Sequence, residues 1–183
     1  PAMVRARHVF HARNRGKPAM ITYRAVDDAR LWPRWPFDIH DGGGKVLSEA
    51  CHFFDLLCWF LDDEPVHVQC SGGREANNFI QVGFSRGSIG CIVSGGWGCV
   101  SCPKERMEVF CDSSSLVMDQ FLEVLTDGYP GCGDERFDFV EDPYPDVGER
   151  SSVAGFRAKM AEVLDETRPM GAARAALEAV DVL

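Results

Sequence analysis

A chain of 183 residues with 45% hydrophobic and 26% charged side chains has the make-up of one globular domain with a real core, too apolar for a disordered segment. Its formal net charge of -9 and pI near 5.0, with lysines and arginines scattered apart from Arg5, Arg7, Arg13, Arg15 and Lys17, argue against nucleic acid as the main partner. The apolar run over 46–61 is broken by Ser48, Glu49, His52 and Asp55 and falls short of the about 20 residues a bilayer demands, so no membrane partner is expected.

Taken in order, residues 2–15 read as a basic helix stopped by Gly16 with Pro18 two residues on. A strand over 19–26 follows, rich in β-branched and aromatic residues. The stretch 27–44, dense in Trp, Pro and Gly, is long for a plain connection, and Trp32, Trp35 and Phe37 give it apolar area with which to pack down. A second helix is predicted over 45–61, ending at the acidic turn 62–65. Strand signals then come in series at 66–71, 78–84, 88–94, 106–111 and 115–118, with Arg86-Gly87 as a hairpin turn. Shorter strand candidates lie at 121–125 and 137–140, and helical periodicity returns over 151–166 and 170–183. Strands in succession bracketed by helices indicate an α+β fold: an open, predominantly antiparallel mixed sheet with helices packed on one face.

Eight cysteines fall mostly inside apolar patterns, and no charged-then-apolar leader opens the chain, which suits a reducing cytoplasm. Pro1 stands where an initiator Met would, and the first residues already read as mid-helix, so the expectation is a piece of a longer polypeptide.

The second helix holds the constellation with chemical potential. Glu49, His52 and Asp55 recur at i, i+3, i+6, a polar stripe in an otherwise apolar segment, and Ser48 lies one turn before His52. A carboxylate one turn from an imidazole orients it and tunes it toward neutrality, as a general acid/base requires. Periodicity alone equally allows a core histidine bonded to Glu49 or Asp55, with Glu49 favoured by the helix start.

Segment order decides further. The run Gly42-Gly43-Gly44-Lys45-Val46-Leu47-Ser48-Glu49-Ala50-Cys51-His52-Phe53-Phe54-Asp55-Leu56-Leu57 resembles the glycine run and Glu-x-x-His-Phe-x-Asp helix in the C-terminal domain of the Gfo/Idh/MocA oxidoreductases. Gly16-Lys17-Pro18 and Tyr23-Arg24 match a G-x-P turn and Y-R strand of that family, Gly87-Ser88-Ile89-Gly90 its hairpin, the segment from Pro103 to Phe110 its K-E-x-x-E-V-F strand, and 175–183 its terminal helix. The resemblance implies that residues 1–183 form a single C-terminal substrate-binding and oligomerisation domain, whose N-terminal Rossmann partner is absent and binds NAD or NADP. It further implies a small-molecule substrate (a sugar, polyol or related hydroxy compound), homo-oligomers through the sheet face, and His52 as acid/base on the substrate hydroxyl or as its ligand, with Glu49 beside it. Many members carry Asp where this sequence has Ser48, so Glu49 places the chain in the Glu-x-x-His branch. Arg24, Trp35, Lys45 and Asp55 are the candidate substrate contacts.

No G-x-G-x-x-G follows a strand and no Glu-Lys-Pro motif occurs, so the chain alone is not expected to hold cofactor tightly or turn over. A non-catalytic ligand-sensing or assembly domain derived from the family is the alternative. Cys99-Val-Ser-Cys102 has zinc-knuckle spacing without a second pair and no thioredoxin-like context, which makes these loop thiols; no metal site is predicted. His8 and His11 read as a solvated helix face, Asp38, His40 and Asp41 as an exposed loop cluster, and Lys104 and Glu105 as a pair across the sheet.

Overall fold

The computed structural model describes residues 2–73 and 77–137. The predicted helices over 151–166 and 170–183, the terminal-helix resemblance over 175–183 and all but the first residue of the 137–140 strand lie outside these residues.

Helix α1 (Ala2–Asn14) buries Ala2, Met3, Ala6, Val9, Phe10 and Asn14, a stripe at three- and four-residue spacing. It ends where Gly16 takes φ +75° and the Lys17 N–H returns to the Asn14 carbonyl at 3.0 Å. Strand β1 (Met20–Val26) alternates in burial, with Ile21, Tyr23 and Ala25 inward. Beyond a 3-10 turn (Ala29–Leu31) and the Trp-rich loop, the chain winds through a π-helical turn (Val46–Ala50) into helix α2 (Cys51–Leu61). Asp62 closes α2 in the left-handed region at φ 54°, its N–H bonded to the Cys58 carbonyl.

Strands β2 (Pro65–Gly72), β3 (Asn78–Phe84), β4 (Ile89–Gly95), β5 (Glu105–Cys111), β6 (Ser114–Asp119), β7 (Glu123–Asp127) and β8 (Glu135–Arg136) complete an open eight-stranded sheet in the order β2-β3-β4-β1-β5-β6-β7-β8. Among the described strands only β1 and β4 run parallel; the other neighbours are antiparallel. The α+β fold class is as predicted. One strand is displaced: the candidate at 121–125 is a turn followed by β7, because Gln120 and Phe121 adopt φ 50° and 57°, a left-handed pair that reverses the chain between Asp119 and Glu123. Asp112 and Ser113, likewise left-handed, form a two-residue turn between β5 and β6.

Helices α1 and α2 contribute to one core on one face of the sheet. Leu57 of α2 sits over Gly90, where a Cβ would lie 3.0 Å from its Cδ1, so the glycine lets helix and strand approach. Phe53 stacks against Tyr23 at 4.9 Å between ring centroids, and Phe10 against Phe60 at 5.2 Å. Each such side chain, fully buried, contributes roughly 1.5–3 kcal/mol. Polar bonds fix the helices to each other: Arg7 donates to the Trp59 carbonyl and His11 bonds the Phe60 carbonyl, both at 2.7 Å. The opposite face carries Met20, Phe79, Ile89 and Phe110, all exposed. No described helix is long and apolar enough to cross a membrane.

Candidate functional site

The loop after β1 is built on itself. Asp28 caps the 3-10 turn and holds the Arg30 guanidinium through both carboxylate oxygens at 2.8 and 2.6 Å. Asp38 accepts from the N–H groups of His40 and Asp41, which holds its carboxyl below the usual range; the cluster at Asp38, His40 and Asp41 is thus an exposed Asx turn. Gly43 and Gly44 take φ +77° and +80°, and a Cβ on Gly42 would collide with the Trp35 carbonyl, so the glycine run is demanded by backbone geometry. Ser48 ties this loop to the helix start by donating to the Pro36 carbonyl at 3.0 Å.

Beneath the loop lies a buried charged cluster. The Lys45 side chain is wholly inaccessible, in ion-pair contact with Glu49 one turn on and 3.9 Å from Asp27 Oδ1. Trp32 and Phe37 cover its ammonium at 4.4 and 5.2 Å from their ring centroids. Lys104, just before β5, reaches Glu49 Oε1 at 2.6 Å and Asp27 Oδ2 at 3.3 Å, also under Trp32. Glu105 lies 3.8 Å from the same ammonium and accepts from the Tyr23 hydroxyl at 2.6 Å. Burial opposes the Glu49 charge, yet hydrogen bonds from Lys104 and Lys45 hold its carboxyl below the ordinary range. Burial likewise opposes the charge of Lys104, and Glu49 overcomes it, raising that ammonium. Glu105 goes the other way: burial lifts its carboxyl although Tyr23 and Lys104 favour the ion, and burial with the nearby Glu105 charge pushes the Tyr23 phenol up.

The predicted site residues separate into groups. Glu49 and Lys45 meet inside this cluster. His52 stands on the exposed face of α2, two positions past the π turn, with Asp55 half-buried one turn further on. The expected single stripe is therefore split: the wider turn carries the Glu49 side chain inward, 12% exposed, while His52 faces out. Trp35 is 53% exposed in the loop. Arg24 alternates with Tyr23 and so lies on the sheet face away from α2, donating to the Pro103 carbonyl at 2.7 Å. Lys104 and Glu105 do pair, but within a larger cluster that sequence reading missed, together with Asp27 and Tyr23. The lone signal for it was charge crowding at strand ends, Val26-Asp27-Asp28 and Lys104-Glu105-Arg106. His8 is exposed and His11 is bonded to Phe60, and among the described residues no three His, Cys, Asp or Glu side chains are grouped to hold a metal.

This architecture recurs in solved oxidoreductases. The UDP-N-acetylglucosamine 3-dehydrogenase of Acidithiobacillus ferrooxidans matches with TM-score 0.63 at 16% identity, over 100% of this chain and 60% of that one. An oxidoreductase domain protein from Kribbella flavida matches at 0.61 and 15%, over 100% and 58%, and GenD2 from gentamicin A biosynthesis, solved with NAD, at 0.54 and 18%, over 100% and 57%. The chain thus spans under two thirds of each, and at these identities the likeness speaks for the α+β fold alone. No curated protein matches the chain. The GFO/IDH/MocA C-terminal domain model matches residues 3–117, more than half the sequence, and the chain belongs to that family.

Proposed function

We propose that this chain is the substrate-facing half of a cytoplasmic NAD(P)-dependent dehydrogenase for a sugar, polyol or related hydroxy compound. The observation that carries the reading is an exposed His52 on a helix whose preceding π turn is pinned by the Glu49–Lys104 and Glu49–Lys45 ion pairs, in a chain of this family. No dinucleotide loop occurs in the sequence, so NAD or NADP is assigned mainly to an N-terminal Rossmann domain, where it would exchange hydride with the substrate carbon. The residues here supply the rest. His52 takes the hydroxyl proton on oxidation and returns it on reduction. Glu49 positions the helix from inside, and Asp55, Lys45 and Trp35 are assigned to the substrate side. Of these, Lys45 acts only through the cluster unless the Trp32 cover opens. The sugar assignment draws support from a structural neighbour that is a UDP-N-acetylglucosamine 3-dehydrogenase.

The test is turnover by the polypeptide that joins this chain to its nucleotide-binding domain. His52→Ala is expected to lower kcat by about 10²–10⁴-fold, the usual contribution of a general acid/base. Unchanged kcat would remove His52 from the proton step and favour the second reading, an assembly domain, which the exposed apolar row Met20, Phe79, Ile89 and Phe110 supports on its own.

A further inference from the structure

None of the eight cysteines is joined in a disulfide, and two of them differ from the rest. Cys99 and Cys102 are both exposed, whereas Cys111 is buried and Cys51, Cys58, Cys70, Cys91 and Cys132 are partly so. Burial pushes the thiols of Cys51, Cys70, Cys91 and Cys111 up, that of Cys70 to about 11. Cys99 moves the other way: the Ser101 hydroxyl, 3.2 Å from its sulfur, and the N–H groups of Cys102 and Ser101 bring its thiol below the ordinary value. The Arg24 guanidinium lies 3.4 Å from Cys102 Sγ.

The backbone sets the pair close together. The Cys102 N–H donates to the Cys99 carbonyl at 3.0 Å, closing a four-residue β-turn. Such a turn holds its end Cα atoms within about 7 Å, and a disulfide spans about 4.4–6.8 Å. The turn rests on a fixed base: the Gly98 N–H bonds the Asp27 carbonyl at 2.8 Å, and the Lys104 carbonyl accepts from Val26 at 3.2 Å. Trp97 and Val100 beside it are 87% and 74% exposed, so a small disulfide can reach the sulfurs.

We propose that Cys99 and Cys102 form a thiol–disulfide exchange site for low-molecular-weight disulfides of the glutathione type. Cys99, as thiolate, attacks one sulfur of the oxidised disulfide; the S–S bond breaks and one small thiolate leaves, taking up the proton Cys99 has shed. Cys102 then gives up its proton and attacks the Cys99 sulfur, expelling the second small thiol and closing the 99–102 disulfide. Two protein thiols are oxidised by two electrons, and one small disulfide is reduced to two thiols. The Arg24 guanidinium, 3.4 Å from Cys102 Sγ, stands beside the sulfur that attacks in the second step. The turn joins Asp27 and Lys104 through backbone bonds, so its closure acts on the segments that bear the buried cluster.

The purified protein is equilibrated in glutathione buffers of rising oxidised-to-reduced ratio, quenched with N-ethylmaleimide and mapped by peptide mass. The expected result is joint loss of two reactive thiols confined to the peptide holding Cys99 and Cys102, reversed by dithiothreitol. Cys102→Ser, in an exposed turn, should trap one glutathione on Cys99, and Cys99 should react with iodoacetamide at least about tenfold faster than Cys70 at neutral pH. Persistence of both thiols across the series, glutathione trapped on another cysteine in Cys102→Ser, or equal alkylation rates for Cys99 and Cys70 would each overturn the assignment.

Discussion

Replacing Glu49 by Gln tests the buried cluster directly, because it removes one charge while nearly keeping volume. In the wild-type protein the carboxylate is shared by Lys45, whose side chain is 0% exposed, and Lys104, whose side chain is 29% exposed. Lys104 can turn toward solvent or lean on Asp27 at 3.3 Å, so its loss is small. Lys45 has neither option, since Trp32 and Phe37 cover it and its next carboxylate is 3.9 Å away. Removing one partner of a buried ion pair costs about 3–5 kcal/mol, and the lower end applies here because the Gln carbonyl still accepts a hydrogen bond. About 3 kcal/mol corresponds to a drop of roughly 6–12 °C in Tm for a chain of this size.

Urea unfolding with linear extrapolation gives the number, and a cycle with Lys45→Met gives its origin. Methionine fills the lysine volume without leaving an unpaired ammonium, so the double variant should be more stable than the sum of the singles by about 1–3 kcal/mol. The pH dependence has a fixed sign. Glu49 is held below its ordinary range in the folded protein, so its contribution is full above the unfolded-state carboxylate value and disappears as pH falls through the folded one. The gap between wild type and Glu49→Gln is therefore constant near neutrality and closes in acid. A loss below about 1 kcal/mol, or strict additivity in the cycle, would show that the cluster is solvated and that Glu49 does not pin the helix.

Three further outcomes follow from the same geometry. Gly42→Ala sets a methyl against the Trp35 carbonyl and should destabilise by about 1–3 kcal/mol in urea unfolding, whereas Gly133→Ala, with open space around it, should not. His11, whose imidazole is lowered first by burial, favours folding while neutral; stability should fall as pH drops through about 6.5, and His11→Gln should flatten that slope in thermal melts at pH 5–7. Phe79→Glu on the open sheet face should shift the protein to a smaller species in sedimentation equilibrium if copies associate there, while leaving far-UV circular dichroism unchanged.

Much of the fold was legible because burial on one sheet face writes a period of two into the sequence. Residues 78–84 alternate Asn, Phe, Ile, Gln, Val, Gly, Phe and form β3 at the expected bounds. The turn at 120–121 escaped because Gln and Phe are poor markers of a left-handed backbone; only the pairing of β6 with β7 imposes it. The site was legible in its helix and glycine run, and illegible in its charges. Charge crowding around Asp27 and Lys104 does not by itself say that the strands β1 and β5, neighbours in the sheet but nearly eighty residues apart in the chain, bring their ends together under Trp32.

The split of the polar stripe has the same origin and carries the larger consequence. Spacing at i, i+3 assumes 3.6 residues per turn, and the turn Val46–Ala50 is wider than that. Local propensity does not call for it: the segment Val-Leu-Ser-Glu-Ala would wind as an ordinary α-helix. What the wide turn permits is a Glu49 side chain aimed at two lysines below the loop while the helix beyond still lays Phe53, Phe54 and Leu57 on the sheet. An ideal helix would have aligned Glu49 with His52, as the sequence reading expected. With Glu49 so engaged, the proton chemistry proposed for this domain falls to His52, and the role proposed for the Glu49 carboxylate is to hold the helix in place.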